Sequence, residues 1–156
     1  FGWANAWRAL CWARLKNGDK AYQLLVNNLT PSRGKSNGTA ANFFDIYQLG
    51  ESGVFQIDAN YGTPAAMLEM LLYSRPGRIE LLPALPKAWP GGRVTGIGAH
   101  GGFVVDLTWA HGRPTEVTVR SIGGHRTEVA HGGVVRAVML APGGHHTWRW
   151  GASSKG

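Results

Sequence analysis

A single cysteine, Cys11, stands in a chain of 156 residues. One cysteine excludes an internal disulfide and any thiolate metal cluster. Its neighbours Trp7, Leu10 and Trp12 predict a small buried thiol rather than a reactive one. Acidic side chains are also scarce, nine Asp and Glu against sixteen Lys and Arg, for a formal net charge of +7. That excess would suit a nucleic acid, but its distribution does not. The bases stand singly, spread as +2 over residues 1–77 and +5 over 78–156, with no Lys/Arg run and no nucleic-acid motif. A solvated basic surface is expected, with no nucleic-acid partner. No apolar run approaches the roughly 20 residues that a membrane-spanning helix needs, so no membrane partner is expected either. Histidine is missing until His100. All six (100, 111, 125, 131, 145 and 146) sit mostly beside glycines, which points to turns and strand edges rather than to a metal site. Neither metal nor cofactor is expected.

What is present in excess is glycine, 23 residues, and tryptophan, 7. The chain opens on Phe1-Gly2-Trp3, already apolar and aromatic, so a longer parent polypeptide is expected and the compartment is left open. Apolar positions Trp3, Trp7, Leu10, Cys11 and Leu15 recur at helical spacing. Asn17-Gly18 ends that helix, and Asp19 is placed to cap a second with the face Ala21, Tyr22, Leu24, Leu25 and Leu29. Residues 31–41 are polar and Gly/Ser-rich, a loop. Thr63-Pro64 then offers a cap with proline at the first helical position. The predicted helix runs through Met67, Leu68, Leu71 and Leu72 to about Ser74. Three helices cannot by themselves bury Trp3, Trp7 and Trp12 together with two further amphipathic faces, which again implies additional chain.

Beyond Arg78 the period changes to two. Residues 78–82, 103–109, 115–121, 126–130, 134–140 and 146–150 each read as short strands separated by glycine-rich turns, the pattern of an antiparallel sandwich. The expected organisation is therefore α+β: a helical part over 1–77 and a β-sandwich over 78–156.

Four of the nine carboxylates, Asp45, Glu51, Asp58 and Glu69, fall in the loop-to-helix region; Glu80, Asp106, Glu116 and Glu128 alternate along strands and read as solvated. Glu69, mid-helix, suits a solvated or helix-pairing role. Asp58 has the most apolar setting, within Val54-Phe55-Gln56-Ile57-Asp58-Ala59-Asn60-Tyr61-Gly62. Two readings fit it. Asp and Asn two apart before a glycine form Asx turns, and a carboxylate among apolar neighbours, supplied with amide partners, is also what a catalytic site holds.

Several motifs occur in order: Gly2-Trp3-x-x-Ala6-Trp7, Trp12-Ala13-Arg14-Leu15, Phe55-Gln56-Ile57-Asp58-x-Asn60-x-Gly62, Glu69-Met70-Leu71-Leu72-x-Ser74, Leu81-Leu82-Pro83-Ala84-Leu85-Pro86-x-x-Trp89 and Gly101-Gly102-Phe103-x-Val105-Asp106. Together, over roughly residues 1–122, they resemble the C-terminal end of glycoside hydrolase family 95, the inverting α-L-fucosidases and related α-L-galactosidases. The resemblance implies an (α/α)6 catalytic barrel ending over 1–77 and a C-terminal β-sandwich over 78–156. It implies that Asp58 is the aspartate that polarises asparagine side chains orienting the attacking water, with Gln56 and Asn60 as pocket neighbours. It also implies a general-acid glutamate upstream of Phe1, so that this chain alone would be inactive, and an oligosaccharide or glycoconjugate as substrate. An inverting site needs room for a water, about 6.5–9.5 Å between a carboxyl pair.

Two departures stand out. Where the family has His-Pro-Pro before Phe-Gln-Ile-Asp, this chain has Ser52-Gly53-Val54, which makes Ser52 the position to watch for sugar choice. Where the family often has Ala-Arg-Gly-Gly-Phe, residues 99–103 read Ala-His-Gly-Gly-Phe. The competing class is a non-catalytic carbohydrate-binding or structural β-sandwich, which would display Trp109, Trp148 and Trp150 on one exposed sheet face.

Overall fold

The computed structural model describes residues 2–31, 38–40, 43–49 and 52–150, with backbone alone for 38, 40, 43–49 and 52–54. By contact the chain divides into two compact units, one of Phe1–Met70 with Ala84–Pro86 and one of Leu71–Pro83 with Lys87–Gly156.

Among the described residues the first unit holds three helices, α1 (Gly2–Arg14), α2 (Gly18–Leu29) and α3 (Ile57–Leu71), and a three-stranded antiparallel sheet of β1 (Gly38–Ala40), β2 (Phe43–Leu49) and β3 (Ser52–Phe55). Helix α1 buries Gly2, Ala6, Ala9 and Ala13, while Trp3, Trp7 and Leu15 are exposed. The expected aromatic face is thus the outward one, and the inward face is the alanine stripe. Small side chains let helix axes approach closely, and α3 likewise buries Ala59, Thr63 and Ala66, together with the larger Met70. Cys11 shares the outward face with Trp7 and Leu15, four residues either side, so the thiol expected to be buried is exposed.

In α2 the expected Ala21 and Leu25 are buried, joined by Gly18 and Asn28. The cap is Asn17, whose side chain accepts from the Lys20 amide at 3.1 Å, and Asp19 falls in the first turn instead. Gly18 is held against the 84–86 segment: a Cβ there would lie 2.6 Å from the Leu85 carbonyl carbon. Helix α3 begins at Ile57, six residues before the expected Thr63 cap. Its first bond runs from the Asn60 amide to the Gln56 carbonyl at 3.1 Å, and the Asn60 side-chain amide donates to the same oxygen at 2.7 Å. Pro64 therefore lies inside the helix, where it cannot donate to the Asn60 carbonyl.

The second unit holds two four-stranded sheets, consistent with the β-sandwich expected. One has the order β10-β9-β5-β4, the other β11-β8-β7-β6. The strands are β4 (Leu72–Arg75), β5 (Arg78–Leu81), β6 (Gly92–Ala99), β7 (Phe103–Ala110), β8 (Arg113–Ser121), β9 (Arg126–His131), β10 (Val134–Met139) and β11 (His145–Arg149). All pairings are antiparallel except β5 with β9. Residues 72–75, expected as the last helical turn, are a strand; Pro76-Gly77 makes the hairpin back into β5, with Gly77 at φ 79°. The core follows the period of two: Phe103, Val105, Leu107 and Trp109 on β7, Val117 and Val119 on β8, Ile79 and Leu81 on β5, all buried.

Strand β6 was not legible as a strand because three of its eight residues are glycine. It bulges between Val94 and Ile97, with Gly96 at φ 76°. Asp106 on β7 accepts from the Gly96 amide at 2.8 Å and from both Arg120 terminal nitrogens, at 2.5 and 2.9 Å. The bonded Arg120 guanidinium holds the Asp106 carboxyl below its ordinary range, and the Gly96 amide adds to this.

Candidate active site

The first turn of α3 and the outward face of α1 meet in an apolar cleft of about 370 Å³, lined by Trp3, Ala6, Trp7, Leu10, Asp58 and Gly62. Trp3 and Trp7 stand one turn apart on α1 and are 48% and 63% exposed. The floor is low because Gly62 faces Ala6; a Cβ on Gly62 would sit 2.9 Å from that of Ala6. Asp58 is exposed within this wall and shares the lining with two tryptophans. Aromatic faces beside one polar group are what a sugar site requires: the ring's C–H face stacks on indole while its hydroxyls take hydrogen bonds.

Of the described side chains expected to act together, Asp58 alone lines this cleft. Gln56 is half-buried just before α3, and the Asn60 side chain turns back to the Gln56 carbonyl. The backbone of Ser52 pairs with Leu49 in the β2–β3 hairpin; its side chain, with those of Asp45 and Glu51, lies outside the described residues. Phe55 and Ile57, the apolar neighbours of Asp58 in sequence, are exposed and do not line it. The walls come from α1 instead. The signal in the sequence was the Gly2-Ala6-Ala9-Ala13 stripe, which leaves the Trp3/Trp7 pair on the other side of the helix.

Glu69 is a helix-pairing residue: Arg14 donates to its two oxygens at 2.5 and 2.7 Å, joining α1 to α3. Among the described residues no group of three His, Cys, Asp or Glu could hold a metal ion, and no helix is long and apolar enough to cross a membrane.

The tryptophans of the second unit are otherwise engaged. Trp109 is buried, 7% exposed, and its indole N–H donates to the Trp89 carbonyl at 3.0 Å. Trp148 and Trp150 are half-buried beneath the Arg136 guanidinium, 5.9 and 4.9 Å from their ring centres. They form no exposed row with Trp109.

Residues 1–71 match the glycosyl hydrolase family 95 catalytic domain, and residues 73–146 match the glycoside hydrolase family 95, C-terminal domain. Among curated proteins, alpha-L-fucosidase 2 of Arabidopsis thaliana is 38% identical over 149 residues, which is 91% of this chain and 17% of that protein. Probable alpha-fucosidase A of Aspergillus oryzae is 38% identical over 120 residues, 69% of this chain and 16% of that protein. Its namesake in Aspergillus niger is 40% identical over 119 residues, 69% and 14%. The chain therefore spans less than a fifth of the length of the curated relatives it matches.

Proposed function

This chain belongs to glycoside hydrolase family 95, and on that premise we propose that it is the C-terminal part of an inverting glycoside hydrolase cleaving α-L-fucosides or closely related α-L-glycosides. Residues 1–77 complete an (α/α)6 catalytic barrel and residues 78–156 form its C-terminal sandwich domain. The observation that carries the proposal is Asp58, set in an apolar cleft beside two exposed tryptophans. Support for the α-L-fucoside comes from the names of the relatives.

In the proposed reaction Asp58 acts behind the attacking water. An amide oxygen is a poor base, but a carboxylate hydrogen-bonded to the amide's N–H group stabilises the positive charge that develops as the amide draws a proton from water. Trp3 and Trp7 offer faces for the sugar ring, and a 6-deoxy sugar adds a methyl group that gains by burial against indole. Gln56, Asn60 and Ser52 complete the pocket once the rest of the barrel is in place, with Ser52 biasing the choice of sugar. The general acid comes from outside these 156 residues, so the chain by itself does not hydrolyse glycosides. The alternative, a carbohydrate-binding sandwich acting alone, loses support because Trp109, Trp148 and Trp150 are engaged in packing.

The test is turnover of p-nitrophenyl α-L-fucoside and α-L-galactoside by the full-length parent, with the anomer of the first-formed sugar read by NMR. Hydrolysis releasing the β-anomer is expected. Release of the α-anomer, or binding without hydrolysis, would overturn the reading.

A further inference from the structure

We propose that Asn28 is a positioning residue for the Asp58 cleft, a proposal that rests on the reading of Asp58 just given. Asn28 lies near the end of α2 and is 2% exposed. A buried side-chain amide is costly unless its groups are paired, and this one is paired across helices. Its Nδ2 donates to the Gly2 carbonyl at 3.0 Å and to the Thr63 hydroxyl at 3.2 Å. The Thr63 hydroxyl, itself fully buried, donates onward to the Ala59 carbonyl at 2.7 Å.

The direction of every bond is fixed. Gly2 offers a carbonyl, which only accepts, so the amide nitrogen of Asn28 must face it. The same nitrogen then donates to Thr63, whose single proton is free for Ala59. One amide thus ties the first residue of α1 to the first turns of α3. The residues adjoining its two ends are Trp3, after Gly2, and Asp58, before Ala59, which stand in opposite walls of the cleft. Between those walls the contact is made by Ala6 and Gly62, side chains too small to define a spacing by interlocking. Beside the cleft the spacing is set by the Asn28–Thr63 relay, since the Arg14–Glu69 pair joins α1 and α3 near their C-terminal ends. The backbone carbonyl of Asn28 accepts the Thr39 hydroxyl at 2.6 Å, which fixes the end of α2 to β1.

The relay predicts that its loss shifts Asp58 against the indoles without removing any group that touches the sugar. A displacement of about 1 Å at a reacting group costs up to about 100-fold in rate. In the full-length protein, Thr63→Val and Asn28→Leu should each lower kcat by about 10- to 100-fold while KM changes little, at a temperature where both variants are fully folded. Thr63→Ser, which keeps the hydroxyl, should restore kcat. A Thr63→Val enzyme with the wild-type kcat, or a Thr63→Ser enzyme as slow as Thr63→Val, overturns the proposal. Where Asn28→Leu does not fold, the Thr63 pair decides.

Amide hydrogen exchange separates this proposal from the catalytic reading. Exchange over residues 59–63 should quicken in Thr63→Val and not in Thr63→Ser, whatever Asp58 does, and unchanged exchange in Thr63→Val overturns the relay. Undiminished turnover in Asp58→Asn would instead sink the catalytic reading and, with it, the link from the relay to rate.

Discussion

At the scale of the residue, Asp106 shows how one carboxylate secures a weak strand. Glycine-rich β6 has little intrinsic preference for a sheet, and its bulge leaves the Gly96 amide to be satisfied by Asp106, which Arg120 holds in place. The folded carboxyl titrates lower than in the unfolded chain. Its contribution is therefore complete above the unfolded pKa and is lost as pH falls through the folded one. Asp106→Asn should lower stability at neutral pH and flatten its decline in acid, as read by urea unfolding across the acid range; two parallel profiles would contradict this. Gly18 makes a second prediction. Its missing side chain admits the Ala84–Leu85 backbone, so Gly18→Ala should cost about 1–3 kcal/mol, as overpacking does, seen as a lower urea midpoint.

At the scale of the element, α1 is a helix with two usable faces. Alanines pack inside the unit and aromatics face outward, the reverse of the usual reading of an amphipathic helix. Ala9→Leu should consequently destabilise the chain by about 1–3 kcal/mol, whereas Trp7→Ser should change it by no more than about 0.5 kcal/mol. Chemical denaturation of the two variants checks both; a larger loss from Trp7→Ser would mean that the aromatic face is the packed one. Much of the rest was legible in the sequence. The strands of the sandwich followed from alternation and from glycine turns, because each buries one face. The helix periods of α1 and α2 were legible too, but not which side of α1 faces inward, since hydrophobicity ranks tryptophan above alanine while close helix approach favours alanine. The start of α3 was missed because Thr63-Pro64 mimics a helix beginning; the Asn60 bonds to Gln56 that start it earlier leave no such mark. Asp58 was legible as a candidate, and its tryptophan companions were not, since they come from a helix more than fifty residues away.

At the scale of the whole molecule, the first unit leaves Leu15, Tyr61 and Leu68 exposed outside the cleft that Trp3 and Trp7 line. Fully burying a large apolar side chain contributes about 1.5–3 kcal/mol, so these three favour a cover, and in the proposed barrel the remaining helices provide it. Cys11 reports on that cover. Its thiol should react readily with a disulfide reagent in the 156-residue chain and be protected in the full-length protein; equal labelling in both would argue against a covering barrel. The central claim is that Asp58 serves the chemistry. Turnover of p-nitrophenyl α-L-fucoside by the full-length protein, compared with its Asp58→Asn variant, tests it most directly. The prediction is a loss of about 10²- to 10⁴-fold in kcat, the scale of positioned acid–base assistance, with the fold unchanged by circular dichroism. An Asp58→Asn enzyme that turns over as fast as the parent would contradict the account.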